Sequence, residues 1–376
     1  MTQMQRHVMS MVAAMSLGIA VAAQAQPGSS RPQMRGDGPA PAPQPFRIDR
    51  SDPALDELIA PDARLETLAS GFGINEGVVW VPDGGAGYVL VSSLIDNVIY
   101  RIDPDRRVSV FMEKAGYSGN DPSSVGLQTR AGRTHVIIIG PNCGMLDSQG
   151  RLVWCAGQDR AVKRLERDGT HTVLADGFDG KRFNGPNDIA IRSDDGIYMT
   201  DSDVGLRDGG RSPLKEMPNH VYSIKDGKVT VAVDQATNGG GPNGIALSPD
   251  ERYLYVTAGR RMNRYPVNAD GSLGAGMLFA EGEGIVDGIK VDRMGNVYST
   301  SGAGPGLVRI TSPSGTLLGM LVLPVAGGME PKRQICATNV AFGGDGRDLY
   351  IAACDDVYKI RLKTPGPVPG AGAAGR

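Results

Sequence analysis

One pattern recurs six times along the chain, and it limits the folds open to this sequence more than any other feature. Its clearest copy is Pro186-Asn187-Asp188, then the small-apolar run Ile189-Ala190-Ile191, a polar turn from Arg192 to Gly196, and a second apolar run from Ile197 to Thr200. Two apolar runs joined by a Gly/Asp-rich turn signal a β-hairpin. The other copies open at Asn75-Glu76-Gly77, Pro141-Asn142-Cys143, Pro242-Asn243-Gly244, Val286-Asp287-Gly288 and Ala337-Thr338-Asn339. Two further strand-like runs follow each hairpin, as in Arg160 to Leu165 and His171 to Leu174, split by Arg167-Asp168-Gly169.

Repeats roughly 45 to 65 residues apart, each a set of short strands, predict an all-β chain: a six-bladed β-propeller of four-stranded blades around a central channel. The polar residue of each copy stands just before the innermost strand. Closing the ring therefore brings Glu76, Asn142, Asn187, Asn243, Asp287 and Thr338 to one mouth of the channel. The segment from Ala63 to Phe72 reads as an outer strand that completes the last blade and removes its open edge.

The ends read differently. Arg6 and His7, an apolar stretch from Val8 to Ala23 and the site Ala23-Gln24-Ala25 predict a secretory signal peptide over residues 1–25. The apolar run is shorter than the ~20 residues that a membrane span needs. Residues 26–50 read as a disordered Pro/Gly-rich leader, 51–363 as a single propeller domain and 364–376 as a disordered tail. The mature protein is expected to be secreted or periplasmic, with no membrane association after cleavage. A formal net charge of −2 offers no basic stripe, hence no nucleic-acid partner; the expected partner is a small-molecule substrate, and the oligomeric state stays open. Export makes the four cysteines interpretable. Cys143 and Cys155 flank one expected hairpin turn and Cys336 and Cys354 another, so among three pairings the intrahairpin one is favoured over buried free thiols. The long polar connections Tyr117 to Gly132 and Gly205 to Pro218 could lie over one face as a lid.

The ring residues are hard oxygen donors: the carboxylates Glu76 and Asp287 with the amides of Asn142, Asn187 and Asn243. Such a set suits Ca²⁺ above all; Mg²⁺ and Mn²⁺ are alternatives, and Zn²⁺ a more distant one, since it usually recruits His or Cys. Two carboxylates facing each other across a channel would repel unless a cation neutralised them. Lys290 interrupts a small-apolar inner strand, where it either contacts substrate or snorkels along the channel. His135, His171 and His220 lie in or beside strands without a partner motif and read as structural. No Gly-x-Ser-x-Gly elbow precedes a helix, which argues against a serine esterase.

Asn75-Glu76-Gly77, Gly180 to Asp188 (GKRFNGPND), Pro242-Asn243-Gly244 with Ser248-Pro249-Asp250, and Asp287-Gly288 with Val291-Asp292 together resemble the gluconolactonase, regucalcin and luciferin-regenerating-enzyme family over roughly Leu65 to Leu362. Gly150 to Cys155 followed by Asp159-Arg160 is similar to its bacterial gluconolactonase branch. The resemblance implies divalent-metal ligands at Glu76, Asn187, Asn243 and Asp287, with Asp287 also acting as general base or positioning the attacking water. Asn142 and Asp188 would line the substrate pocket, joined by Asp201 and Lys290 as further pocket candidates. Thr200-Asp201-Ser202-Asp203-Val204-Gly205 departs from the Thr-Asp-Pro-Pro-Tyr-Gly usual in bacterial relatives, and Cys143 stands where they carry Gly. The expected function is metal-dependent opening of a sugar lactone by a carboxylic-ester hydrolase. The alternatives are a non-catalytic propeller that binds a sugar acid or another partner through the same cation, and a phosphotriester hydrolase with the same metal set.

Overall fold

In the computed structural model the described residues are 43–131, 134–282, 284–302, 306–325 and 336–368. The expected signal peptide, 1–25, lies outside them. The chain is an all-β propeller whose sheets are antiparallel meanders, because tight polar turns return each strand beside its predecessor. One sheet comprises Gly144–Leu146, Leu152–Ala156, Ala161–Leu165 and His171–Ala175. The next comprises Pro186–Ile191, Ile197–Asp201, Val221–Lys225 and Lys228–Val233. A third holds Ile245–Leu247, Tyr253–Ala258, Arg261–Pro266 and Met277–Glu281. A fourth holds Val286–Val291, Val297–Ser301, Leu307–Thr311 and Leu317–Val322, and Arg47–Arg50 adds a strand to its outer edge.

The last sheet joins both ends of the chain, in the order Asn339–Gly343, Asp348–Arg361, Leu65–Val81, Tyr88–Ser93, Val98–Ile102 and Val108–Glu113. The chain folds back within Asp348–Arg361, where the Leu362 amide donates to the Arg347 carbonyl at 2.8 Å. Residues from Leu65 to Ser70 then pair with Asp356 to Ile360. An N-terminal strand thereby covers an edge that would otherwise be open, as the sequence reading expects. Around the axis, Leu65–Val81 touches Gly144–Leu146, which touches Pro186–Ile191; Ile245–Leu247, Val286–Val291 and Asn339–Gly343 follow in turn, and the last returns to Leu65–Val81. This closed ring of first strands positions the site.

Apolar side chains on alternate strand positions fill the wedges between sheets, for example Val153, Val162, Ile189, Met199 and Tyr222 in one wedge and Tyr298, Val308, Phe342 and Ile351 in another. Each such fully buried side chain contributes about 1.5–3 kcal/mol. The short 3-10 helix Pro53–Glu57 starts at Asp52, whose side chain accepts the Ala54 amide at 2.9 Å, and it delivers Leu55, Leu58 and Ile59 into the second wedge. Both expected disulfides are present: Cys143–Cys155 with Cα atoms 4.9 Å apart, and Cys336–Cys354 at 5.5 Å.

Two expected disordered segments are ordered where they are described. Residues 43–50 of the supposed leader bind the edge of Leu317–Val322, because that edge offers unpaired backbone groups and Phe46 and Ile48 bury against the adjoining wedge. The start of the supposed tail is likewise held. The Gly366 amide donates to the Gly346 carbonyl at 2.8 Å, and Val368 packs on the Phe72, Val78 and Trp80 cluster. Residues 369–376 lie outside the described residues.

Candidate functional site

The ring residues stand at the heads of the first strands, and backbone irregularity puts them there. Register shifts fall between Glu76 and Val79, between Pro186 and Ile189, and between Val286 and Ile289. These bulges release Asn187-Asp188 and Asp287-Gly288 from regular pairing, and in the first copy they release Gly77-Val78 directly after Glu76, which stays paired with Ser92; this is the usual way a strand re-aims side chains. Glycine follows the polar residue where neighbouring heads press together. A Cβ at Gly77, whose φ is 46°, would collide with the Asn142 carbonyl, and one at Gly244 with the Asp287 carbonyl.

Threonines at the ends of the second strands stitch the heads to one another. Thr200 Oγ1 accepts the Asp188 amide at 2.9 Å and donates to the Asn243 carbonyl at 2.6 Å. Thr257 Oγ1 accepts the Gly244 amide at 2.8 Å, and Thr300 Oγ1 donates to the Thr338 carbonyl at 2.9 Å. Sequence reasoning missed these residues, although the recurring Tyr198-Met199-Thr200, Tyr255-Val256-Thr257 and Tyr298-Ser299-Thr300 carried the signal.

Inside the ring the carboxylates crowd one another. Burial, then the charge of Asp287, then that of Asp188 push the Glu76 carboxyl well above its ordinary range, although the Gly77 amide and the Asn339 side chain donate to it. Burial also raises Asp188, which lies in the field of the Lys290 ammonium and accepts the amides of Ile189 at 2.9 Å and Ile245 at 3.3 Å. Asn142, Asn187, Asn243 and Asp287 are half-buried. Among the described residues no three His, Cys, Asp or Glu side chains cluster as a metal site; the ring instead mixes carboxylates with amides, and the oxygens of Asp188 are occupied by backbone donors. A divalent cation fits this donor set because it would offset the burial and mutual repulsion that raise the Glu76 carboxyl.

Two expected site residues, Thr338 and Asp201, sit differently from the sequence reading, while Lys290 lies along the channel, one of the two placements expected for it. Thr338 does not serve the ring: its hydroxyl donates to the carbonyls of Asn75 at 2.9 Å and Ala352 at 3.1 Å, and the adjacent Asn339 takes the place. Lys290 turns to protein groups, its Nζ donating to the Ile289 carbonyl at 3.0 Å and lying 3.5 Å from Asn339 Oδ1. Asp201 is fully buried and does not line a pocket; it accepts the amides of Asn184 at 2.9 Å and Gly185 at 2.8 Å, so it holds the loop that carries Asn187. The histidines described in detail are structural, as expected: His220 Nδ1 accepts the Gln235 amide at 3.0 Å, and His171 packs edge-on to Trp154.

Burial pushes the Asp201 carboxyl up to about 7, against its two amide donors and the charge of Arg160. The unfolded chain releases this proton near pH 4 and the folded protein near 7, so the contribution is full below pH 4 and is lost as pH rises to 7. Asp201→Asn removes the titration. Urea unfolding at pH 4.5, 6 and 8 should therefore show the variant gaining on the wild type by on the order of 2–4 kcal/mol across that range. A difference that stays constant with pH would contradict the assignment.

The expected lid segments meet each other. The ribbon Leu127–Ala131 with Thr134–Ile138 stands on the first connection, Gly126 bridges to Leu206 of the second, and the Arg207 amide donates to the Val125 carbonyl at 3.1 Å. Gln158 Nε2 fixes the Gly205 carbonyl at 2.8 Å.

Comparison with known proteins decides the family. The model of the SMP-30/gluconolactonase/LRE-like region matches residues 125–355. The chain belongs to this family. Gluconolactonase of Zymomonas mobilis is 30% identical over 336 residues, which cover 85% of this chain and 87% of that protein. A solved gluconolactonase structure from Xanthomonas campestris superimposes with a TM-score of 0.67 at 26% identity, covering 87% of this chain and 99% of that one. Regucalcin from Agrobacterium tumefaciens, described as a calcium-binding protein, shares the fold with a TM-score of 0.57 at 16% identity, over 87% of this chain and 98% of its own.

Proposed function

We propose that this member of the family is a secreted or periplasmic, Ca²⁺-dependent lactone hydrolase of the gluconolactonase type, built as six four-stranded blades. The observation that carries the reading is the buried Glu76 carboxyl lying in the field of the half-buried Asp287, on a ring that also bears Asn187 and Asn243. The kinship with gluconolactonases supplies the reaction class. Counting six blades divides the sheet that joins the chain ends into two, at the fold-back within Asp348–Arg361. Export is supported by the two disulfides, which persist in oxidising compartments. Among the described residues no helix is long and apolar enough to cross a membrane.

Glu76, Asn187, Asn243 and Asp287 would hold the ion. A divalent cation bound there supplies positive charge that polarises a carbonyl oxygen and offsets the charge developing on it. The Asp287 carboxylate takes one proton from water as the water oxygen adds to the lactone carbonyl carbon. The ring C–O bond then breaks, and Asp287 returns the proton to the departing alkoxide, leaving the hydroxy acid. Asn142 and Asp188 shape the pocket beside the reacting centre, and Asp201 keeps Asn187 in position through the Asn184-Gly185 amides. A panel of aldonolactones assayed for acid release, beside calorimetry against the matching aldonic acids, tests the reading. Turnover of at least one lactone is expected; binding of the acids with no turnover across the panel would make this a binding propeller instead.

A further inference from the structure

Beneath the ring lies a cavity of about 120 Å³ whose lining is small or apolar at Val79, Met145, Ala190, Ala246 and Ala341. Lys290 brings a positive charge to that wall, which elsewhere carries Ser248 and Glu251 as its polar members. An ammonium gains nothing from an apolar cavity, and this one is committed to the groups beside it: the Ile289 carbonyl at 3.0 Å, Asn339 Oδ1 at 3.5 Å, and the carboxylate of Asp188 through its field. Asn339 in turn donates to Glu76. A chain of contacts therefore runs from a fixed positive charge to the donor set.

Resting on the metal reading above, we propose that Lys290 is the resident counter-charge of the ring, offsetting its carboxylates when no ion is present and opposing the divalent ion when one binds. Lys290 is thus a positioning residue that sets metal affinity. Like charges held close in a poorly solvated interior repel far more than in water, so the wild-type ring holds its ion less tightly than its donors alone would. Lys290→Met should then melt at a lower temperature than the wild type when both are stripped of metal. It should bind Ca²⁺ roughly 10- to 100-fold more tightly. A lysine that merely packs would give the opposite sign, because its loss would loosen the ring and weaken binding.

The test is calorimetric titration of stripped wild type, Lys290→Met and Lys290→Arg with Ca²⁺, with the melting temperature of each stripped protein. Lys290→Gln replaces Lys290→Met if the latter does not fold. Tighter binding by the neutral variant, with Lys290→Arg close to the wild type, supports the proposal. Equal or weaker binding by the neutral variant, while the wild type binds, overturns it and leaves the metal reading intact. If the wild type binds none of Ca²⁺, Mg²⁺ or Mn²⁺, the metal reading fails and the proposal falls with it.

Discussion

Asp287→Asn should lower kcat by roughly 10²- to 10⁴-fold, the usual worth of a positioned acid or base, and no amount of added Ca²⁺ should restore it. The substitution keeps an oxygen donor at the head of the Val286–Val291 strand and removes the only feature of Asp287 that can take a proton. It also withdraws a negative charge from Glu76, so the ring should still form. Glu76→Gln is the control that separates ligand from base. It removes ligand charge without touching Asp287, so its defect should be one of occupancy, recoverable in large part by excess Ca²⁺ through mass action. Turnover of an aldonolactone measured against Ca²⁺ concentration distinguishes the two variants. If saturating Ca²⁺ returns Asp287→Asn to near wild-type kcat, Asp287 is a ligand only, and the base must be a different group.

Much of this site is legible in the sequence because the repeat writes it six times. Glu76, Asn187, Asn243 and Asp287 occupy one position of a pattern whose hairpins force that position to the channel mouth. The disulfides are legible for a related reason, since cysteines equally spaced about a turn face each other across a hairpin. The failures come from what a repeat cannot encode. In the last copy Thr338 and Asn339 are both polar and adjacent; only the closing of the ring onto Asn75 decides that the threonine hydroxyl goes to the backbone and the asparagine to Glu76. Asp201 looks like a mouth residue in sequence, yet Asn184 and Gly185 bend back upon it and bury it completely. The Pro/Gly composition near residue 366 suggests disorder, but a segment with few backbone donors can lie in an apolar channel at little cost, and Gly366 finds its acceptor at Gly346.

Metal dependence carries the largest expected effect of all, because Glu76, Asn187, Asn243 and Asp287 are all proposed as donors to one ion. Without a cation, Glu76 is driven towards its protonated form by burial and by the charges of Asp287 and Asp188. The stripped ring would then have neither its polarising charge nor a defined arrangement of donors. The decisive measurement is the rate of aldonolactone hydrolysis by the wild-type protein after exhaustive chelation, with residual metal quantified on the same sample, and again after Ca²⁺ is returned. The account predicts that activity disappears with the metal and comes back with about one equivalent of Ca²⁺ per chain, a single ring holding a single ion. Steady hydrolysis by protein shown to be free of metal would contradict it.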